Sequence, residues 1–187
     1  MKTKKIMLSL SMLTIVALMI TPTFANGVEY FSDLVAGQDE ANPVGAVTIY
    51  FNNAHTEMYI KLDTSVLPYG YPPYTTQGDC ELVETHIWVG DDLDEVPRTK
   101  KGNPKIGHFD YAETLPDGTQ TFTQTVDVSG LDDEIFILIH AVVDCPCKGQ
   151  ETAWGEGPES TMFSENQDIF GNRWGYYISI DKSVGAN

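Results

Sequence analysis

Four polar side chains in otherwise apolar surroundings are the residues whose types could do chemistry. They are Glu84, His86, His140 and Glu151. Two imidazoles with one or two carboxylates suit Zn²⁺, Cu²⁺ or non-haem Fe²⁺. A carboxylate beside an imidazole can also act in general acid–base catalysis. The same groups can instead form a buried hydrogen-bonded network that stabilises the fold, so both interpretations stay open at this point.

The stretch 80–90 must position two of these groups, because it alternates with the period of two of a half-buried strand. One face carries the β-branched residues Val83, Thr85, Ile87 and Val89. The other face carries Leu82, Glu84, His86 and Trp88. His140 lies in the stretch 135–143, which is apolar on both faces and predicts a central strand. His140 can join the other two residues if these strands are neighbours.

A metal site formed by Glu84, His86 and His140 is therefore one hypothesis, with a transition metal as its cofactor. Hydrolysis by paired carboxylates, Glu84 and Glu151, is another. The chain contains no Gly-x-Ser-x-Gly or His-Glu-x-x-His motif and no phosphate-binding glycine loop. The acidic loop 91–95 lacks the spacing of an EF-hand, although Ca²⁺ stays open as a cofactor. The motifs thus favour a protein that is not an enzyme.

The remaining pattern predicts an all-β protein, an Ig-like antiparallel β-sandwich in a single domain. No amphipathic helix is indicated. Residues 150–157, which carry Trp154, are interpreted as a glycine-rich loop. The predicted strands are 45–51, 57–62, 80–90, 120–128, 135–143 and 174–180.

A loop rich in Tyr and Pro spans residues 67–74. Proline removes the donors that a central strand needs, so the loop is predicted to be extended and to present Tyr69, Tyr71 and Tyr74. With Trp154, these rings are candidates for binding a sugar or a peptide. The alternative is a loop packed over one end of the sandwich.

The N-terminus reads as a signal peptide over residues 1–25, with a basic start, an apolar run and a small residue before the cleavage point. The domain then spans residues 26–187, with no integral membrane span after cleavage. The net charge is −16, and it becomes −19 after cleavage because Lys2, Lys4 and Lys5 are lost and no acidic residue is. So acidic a chain excludes nucleic acid as a partner. It leaves an extracellular glycan or a surface protein as partners, and it leaves the oligomeric state open.

Three cysteines are present: Cys80, Cys145 and Cys147. An exported protein is expected to form one disulfide, from Cys80 to either Cys145 or Cys147, and to keep one thiol.

An ordered set of motifs resembles an uncharacterised β-sandwich module of secreted and cell-surface proteins in bacteria and archaea. The motifs are LVAGQ at 34–38, ETH at 84–86, GNPKIGHF at 102–109, His140 with Ala141, ETAWGEG at 151–157 and GNRWGYY at 171–177. The resemblance implies a surface domain and no particular activity. The chain departs from the module by His108, where the module more often has Gln, and by the insertion at 67–74.

Together these features predict an exported, non-catalytic β-sandwich module with a binding, adhesion or surface or matrix structural role. The alternative is a small exported metalloprotein or hydrolase that uses Glu84, His86 and His140.

Overall fold

The computed structural model describes residues 28–37, 43–66, 80–146 and 148–184. The signal segment, Tyr69, Tyr71, Tyr74 and Cys147 lie outside these ranges. The described residues form ten strands, one short α-helix, α1 (Gln167–Phe170), and three single-turn 3-10 helices (Leu93–Glu95, Ile106–His108 and Phe163–Glu165). No helix in this part of the chain is long and apolar enough to cross a membrane. The strands are β1 (Tyr30–Ala36), β2 (Pro43–Phe51), β3 (Glu57–Asp63), β4 (Glu81–Gly90), β5 (Tyr111–Thr114), β6 (Thr121–Asp127), β7 (Glu134–Cys145), β8 (Gly149–Glu156), β9 (Ser160–Met162) and β10 (Tyr176–Asp181).

All strand pairs are antiparallel, and the strand order is β5-β4-β7-β8-β1-β2-β3-β6. β10 pairs with the start of β7, and β9 pairs with β10. β5 and β6 stand at opposite ends of this order, yet one short connection joins them. The backbone of that connection bonds to both halves: Leu82 N–H donates to Thr119 and Thr64 N–H donates to Gln120. The sheet is therefore folded over into two layers, and the predicted Ig-like β-sandwich is confirmed.

The main core lies between the two layers. β-Branched and leucine side chains at alternate positions of β2, β3 and β7 fill it, as the period of two dictates. Its most buried members include Leu34, Val47, Ile49, Ile60, Leu62, Ile87, Ile137 and Ile139. The burial of these branched residues is what fixes the strand register.

One element was predicted wrongly. Residues 150–157 are not a loop, because β8 is a strand inside the sheet, between β7 and β1. Its sequence has loop-like composition, and its strand conformation comes from hydrogen bonding to both neighbours, as tertiary context often overrides propensity.

A second correction concerns β4. Its register against β7 shifts between Leu82 and Glu84, which is a β-bulge. The extra residue turns Leu82 into the main core, where it is 1% exposed, instead of onto the face of Glu84 and His86. Val83 is only partly buried.

The disulfide joins Cys80 to Cys145, which confirms one of the two predicted pairings. Cys80 precedes β4 and Cys145 ends β7. Because these strands are antiparallel neighbours, the two cysteines meet at the same end of the sheet.

A second apolar cluster covers the outer face of the β4, β7 and β8 layer. It consists of aromatic and aliphatic side chains from these strands, from β10 and from two long surface segments, residues 91–110 and 157–175. The buried members are Trp88, Leu93, Val96, Phe109, Leu138, Trp154, Phe163, Phe170, Tyr176 and Tyr177. These two segments are thus packed on the sheet and are part of the fold.

Candidate functional site

The polar residues of β4 and β7 meet in one row across the outer face. His86 lies directly opposite His140, and His140 lies opposite Trp154 of β8. Directly paired residues point to the same side of a sheet. The structure therefore brings His86, His140 and Trp154 together, as the sequence suggested for the two histidines if their strands were neighbours.

Glu84 completes this row from two positions earlier on β4. Its Oε2 atom lies 3.3 Å from Nε2 of His86. Glu151 is not part of the group, because it pairs with Val143, whose side chain faces the main core. Glu84 and Glu151 therefore lie on opposite faces of the sheet. The hypothesis that these two carboxylates act together in hydrolysis is wrong for that reason.

His140 is buried beneath aromatic rings. It is 6% exposed, with the Trp154 ring edge-on at a centroid distance of 5.0 Å and the His86 ring at 5.8 Å. Burial, and then repulsion from His86, lower the pKa of His140 from 6.5 to about 4. Its imidazole is therefore neutral at pH 7. The Nδ1 atoms of His86 and His140 are both buried without a hydrogen-bond partner among the described residues.

Glu84, His86 and His140 thus share one face, but within the described ranges no three His, Cys, Asp or Glu side chains form a group that could hold a metal ion. The metal hypothesis stays a prediction, which elemental analysis of the purified protein tests. Trp154, predicted to bind a ligand, is 4% exposed, so its ring contacts His140 and Phe163 instead of solvent.

The aromatic rings continue from this row into the covering segments. Trp154 packs edge-on against Phe163 at 5.1 Å, and Phe163 stacks on Phe170 at 4.4 Å. Phe170 in turn stacks on Tyr177 of β10 at 5.8 Å. Aromatic pairs of this kind add to the stabilisation that burial provides. The histidine row is therefore connected, through Trp154 and Phe163, to the packing beneath α1.

A surface groove lies where the two covering segments meet. Its volume is about 360 Å³. One wall is formed by residues 98–102 and the other by residues 167–171. The lining is polar, with three cationic residues and one carboxylate, and it consists of Arg98, Thr99, Lys100, Lys101, Gly102, Gln167, Asp168, Ile169 and Gly171. We call it the groove below.

The first wall is a tight turn locked against the second. Gly102 N–H donates to the Thr99 carbonyl, and Thr99 N–H donates to Asn103. Gly102 has a φ of +83° and lies so close to α1 that an added Cβ would stand 2.5 Å from the carbonyl carbon of Phe170. Only glycine allows both the left-handed backbone and this approach. The width of the groove is therefore set by packing.

Arg98 fixes the base of the same wall. Its guanidinium donates to the carbonyl of Leu93 at 2.7 Å and to the side chain of Asp94 at 3.1 Å. The group also lies 5.9 Å from the ring centre of Phe170, within reach of a cation–π contact. Arg98 is thus a positioning residue that joins the turn to the aromatic cluster.

The tip of the turn presents free positive charge. Lys100 and Lys101 are exposed, and neither has a hydrogen bond or ion pair with any described residue. Together with Arg98 and Lys105, they place four of the chain's 11 basic residues within residues 98–105. This clustering is the signal in the sequence for a cationic turn, although it gives no indication of the opposite wall.

Comparison with known proteins adds no family to these observations: no family model, no curated protein and no solved structure matches the chain. The class of protein rests on the fold itself, an all-β sandwich with an aromatic outer cluster and a groove between two covering segments. The resemblance to a secreted or cell-surface module stays a prediction.

Replacing Gly102 tests how the walls are joined. Gly102→Ala is expected to lower the free energy of unfolding by about 2 kcal/mol, since the methyl group adds a clash with Phe170 to the cost of a positive φ. Gly118→Ala is the matched control, because Gly118 has a φ of +81° with nothing within 4 Å of the added carbon. It is expected to cost about 1 kcal/mol. Urea denaturation measures both, and equal losses would contradict the packing described here.

Proposed function

We propose that the protein is an exported, non-catalytic β-sandwich module that binds an extracellular glycan or a surface protein, in an adhesion or in a surface or matrix structural role. The observation that carries the proposal is the groove, whose walls are fixed on a rigid sheet and whose rim carries two unpaired lysines. Preformed concave sites with a few convergent polar groups are typical of ligand binding.

Rigidity of the walls supports binding as the role. Gly102 packs on Phe170, Arg98 is bonded to Leu93 and Asp94, and Phe170 stacks within the aromatic cluster. A ligand that enters such a site does not have to order the surrounding chain, and this lowers the entropy cost of association.

Burial of His140 supports a non-catalytic role. His140 is covered by Trp154 and is neutral at pH 7, and His86 is paired with Glu84. A general base must reach the substrate proton within hydrogen-bond distance, or through one water. His140 instead supports the packing beneath α1, through Trp154 and Phe163.

Export is supported by two features. The first 25 residues have the three-part pattern of a signal peptide. The disulfide between Cys80 and Cys145 is of a kind that persists in oxidising compartments.

The test is a binding screen of the purified protein against an array of neutral and acidic glycans and against extracellular surface proteins. The double variant Gln167→Ala/Asp168→Ala removes two exposed side chains that line the groove. We expect binding of at least one ligand, weakened about tenfold or more in this variant.

The matched control is Asp144→Ala/Gln150→Ala, which removes the same two side-chain types from an exposed pair on β7 and β8 that does not line the groove. This control is expected to bind like the unchanged protein. Absence of any ligand, or equal binding by both double variants, would overturn the proposal.

A further inference from the structure

We infer that the ligand of the groove is an acidic polysaccharide whose sugars carry carboxylate groups. This inference rests on the function proposed above and specifies its ligand. It is drawn from the charge at the rim, from the polar groups of the opposite wall and from the size of the groove.

The charge at the rim contrasts with the rest of the chain. The protein has a net charge of −16, yet Lys100 and Lys101 stand together on one turn, with Arg98 at its base. A polyanion is repelled by most of such a surface and attracted at this one turn, so the field orients the ligand as well as attracting it. Because both ammonium groups are free of partners among the described residues, no ion pair has to be broken first.

The opposite wall is suited to hydroxyl groups. Gln167 and Asp168 are exposed on α1 and face the groove, and Thr99 lines the first wall. A carboxylate such as Asp168 accepts hydrogen bonds from hydroxyl groups, and the amide of Gln167 both donates and accepts. Asp168 repels a ligand in which every group near it is anionic. A sugar that carries one carboxylate and several hydroxyl groups satisfies both walls.

The size of the groove agrees with this class of ligand. Its volume of about 360 Å³ is at the lower end of the ~300–1,000 Å³ typical of small-molecule sites. Exposed residues line both walls, so the groove is open to solvent along its rim. An internal segment of a polymer can therefore lie in it, with the chain continuing on either side.

The experiment measures the affinity of the purified protein for three soluble polymers in the presence of EDTA. Polygalacturonate supplies carboxylates, dextran sulfate supplies sulfates on a sugar chain, and dextran is neutral. We expect polygalacturonate to bind best, with an affinity that falls as salt is raised, and dextran not to bind measurably.

Charge reversal locates the interaction. Lys101→Glu is expected to weaken binding of polygalacturonate by about tenfold or more and to make the salt dependence less steep, since one charge contact is lost. Lys148→Glu is the matched control. Lys148 is also exposed but lies outside the groove, and its substitution changes the net charge by the same amount. It is expected to retain most of the affinity.

Each other outcome overturns the inference in a distinct way. Tighter binding of dextran sulfate than of polygalacturonate would mean that the groove recognises sulfate groups and not carboxylates. Binding of dextran, or equal losses in Lys101→Glu and Lys148→Glu, would reject recognition of a carboxylate by this rim and leave the proposed binding function in place. If the screen of glycans and surface proteins also finds no ligand, the proposed function itself fails.

Discussion

Removal of the disulfide between Cys80 and Cys145 is expected to lower the free energy of unfolding by about 4 kcal/mol. The bond closes a loop with a sequence separation of 65 residues. In the chain-entropy model, a loop of this length restricts the unfolded chain by an amount that corresponds to about 4 kcal/mol at room temperature. The loop contains β4, β5, β6 and β7, so nearly half of the strand residues lie within it.

The double variant Cys80→Ala/Cys145→Ala, followed by urea denaturation, measures this contribution. Removing both cysteines avoids a new bond between the remaining partner and Cys147. The control is Cys147→Ala, which is expected to leave the free energy of unfolding nearly unchanged because the bond stays intact. A large loss in the control, or a loss below about 1 kcal/mol in the double variant, would contradict the assigned role of the bond.

Strands with one or both faces buried could be predicted from the sequence. The predicted stretches 45–51, 57–62 and 135–143 correspond to β2, β3 and β7 within about two residues at each end. In these strands β-branched residues recur with the period of two, and burial of one or both faces enforces that pattern. β8 could not be predicted in this way, because its conformation depends on hydrogen bonds to β7 and β1, and no local sequence pattern indicates these bonds.

The bulge in β4 shows the limit of the periodic argument. Alternation placed Leu82 beside Glu84, but the one extra residue of the bulge moves Leu82 into the main core. Beyond the bulge the alternation holds, so Glu84, His86 and Trp88 share the outer face as predicted. A single insertion in the pairing thus changes one end of a strand and leaves the other end correct.

The candidate site, too, could be predicted only in part. The row of His86 and His140 could be predicted as a conditional hypothesis, because both residues lie on strands with clear periodicity. The groove could not, since its walls are separated by more than 60 residues and meet only through the packing of Gly102 on Phe170. The motifs at 102–109 and 171–177 each contain one residue that lines the groove, Gly102 and Gly171. Neither motif, however, indicates that the two segments pack against each other.

Acidification is expected to destabilise the protein through His140. The pKa of this imidazole is lowered by burial, and further by His86, from 6.5 to about 4. Because the folded pKa lies below the unfolded one, the unfolded chain binds the proton more tightly, and stability falls as pH decreases from about 6.5 towards 4. The complete loss is about 3 kcal/mol, of which about 2 kcal/mol is reached by pH 5. The ordinary pKa values of Asp and Glu lie below pH 5, so the range from pH 7 to pH 5 reports mainly on imidazoles.

Urea denaturation between pH 7 and pH 5, with EDTA present, measures this slope. In His140→Gln the slope is expected to be much shallower, even though a buried amide lowers stability at every pH. His108→Gln is the control, because His108 is exposed, and it should keep the full slope. In His86→Gln, loss of the neighbouring imidazole removes the smaller cause of the low pKa of His140, so the destabilisation should still begin near pH 6.5 but end at a higher pH and be smaller in total. An equal slope in His140→Gln and the unchanged protein would mean that His140 is protonated as readily in the folded chain as in the unfolded one, and that the aromatic cover over the row is open to water.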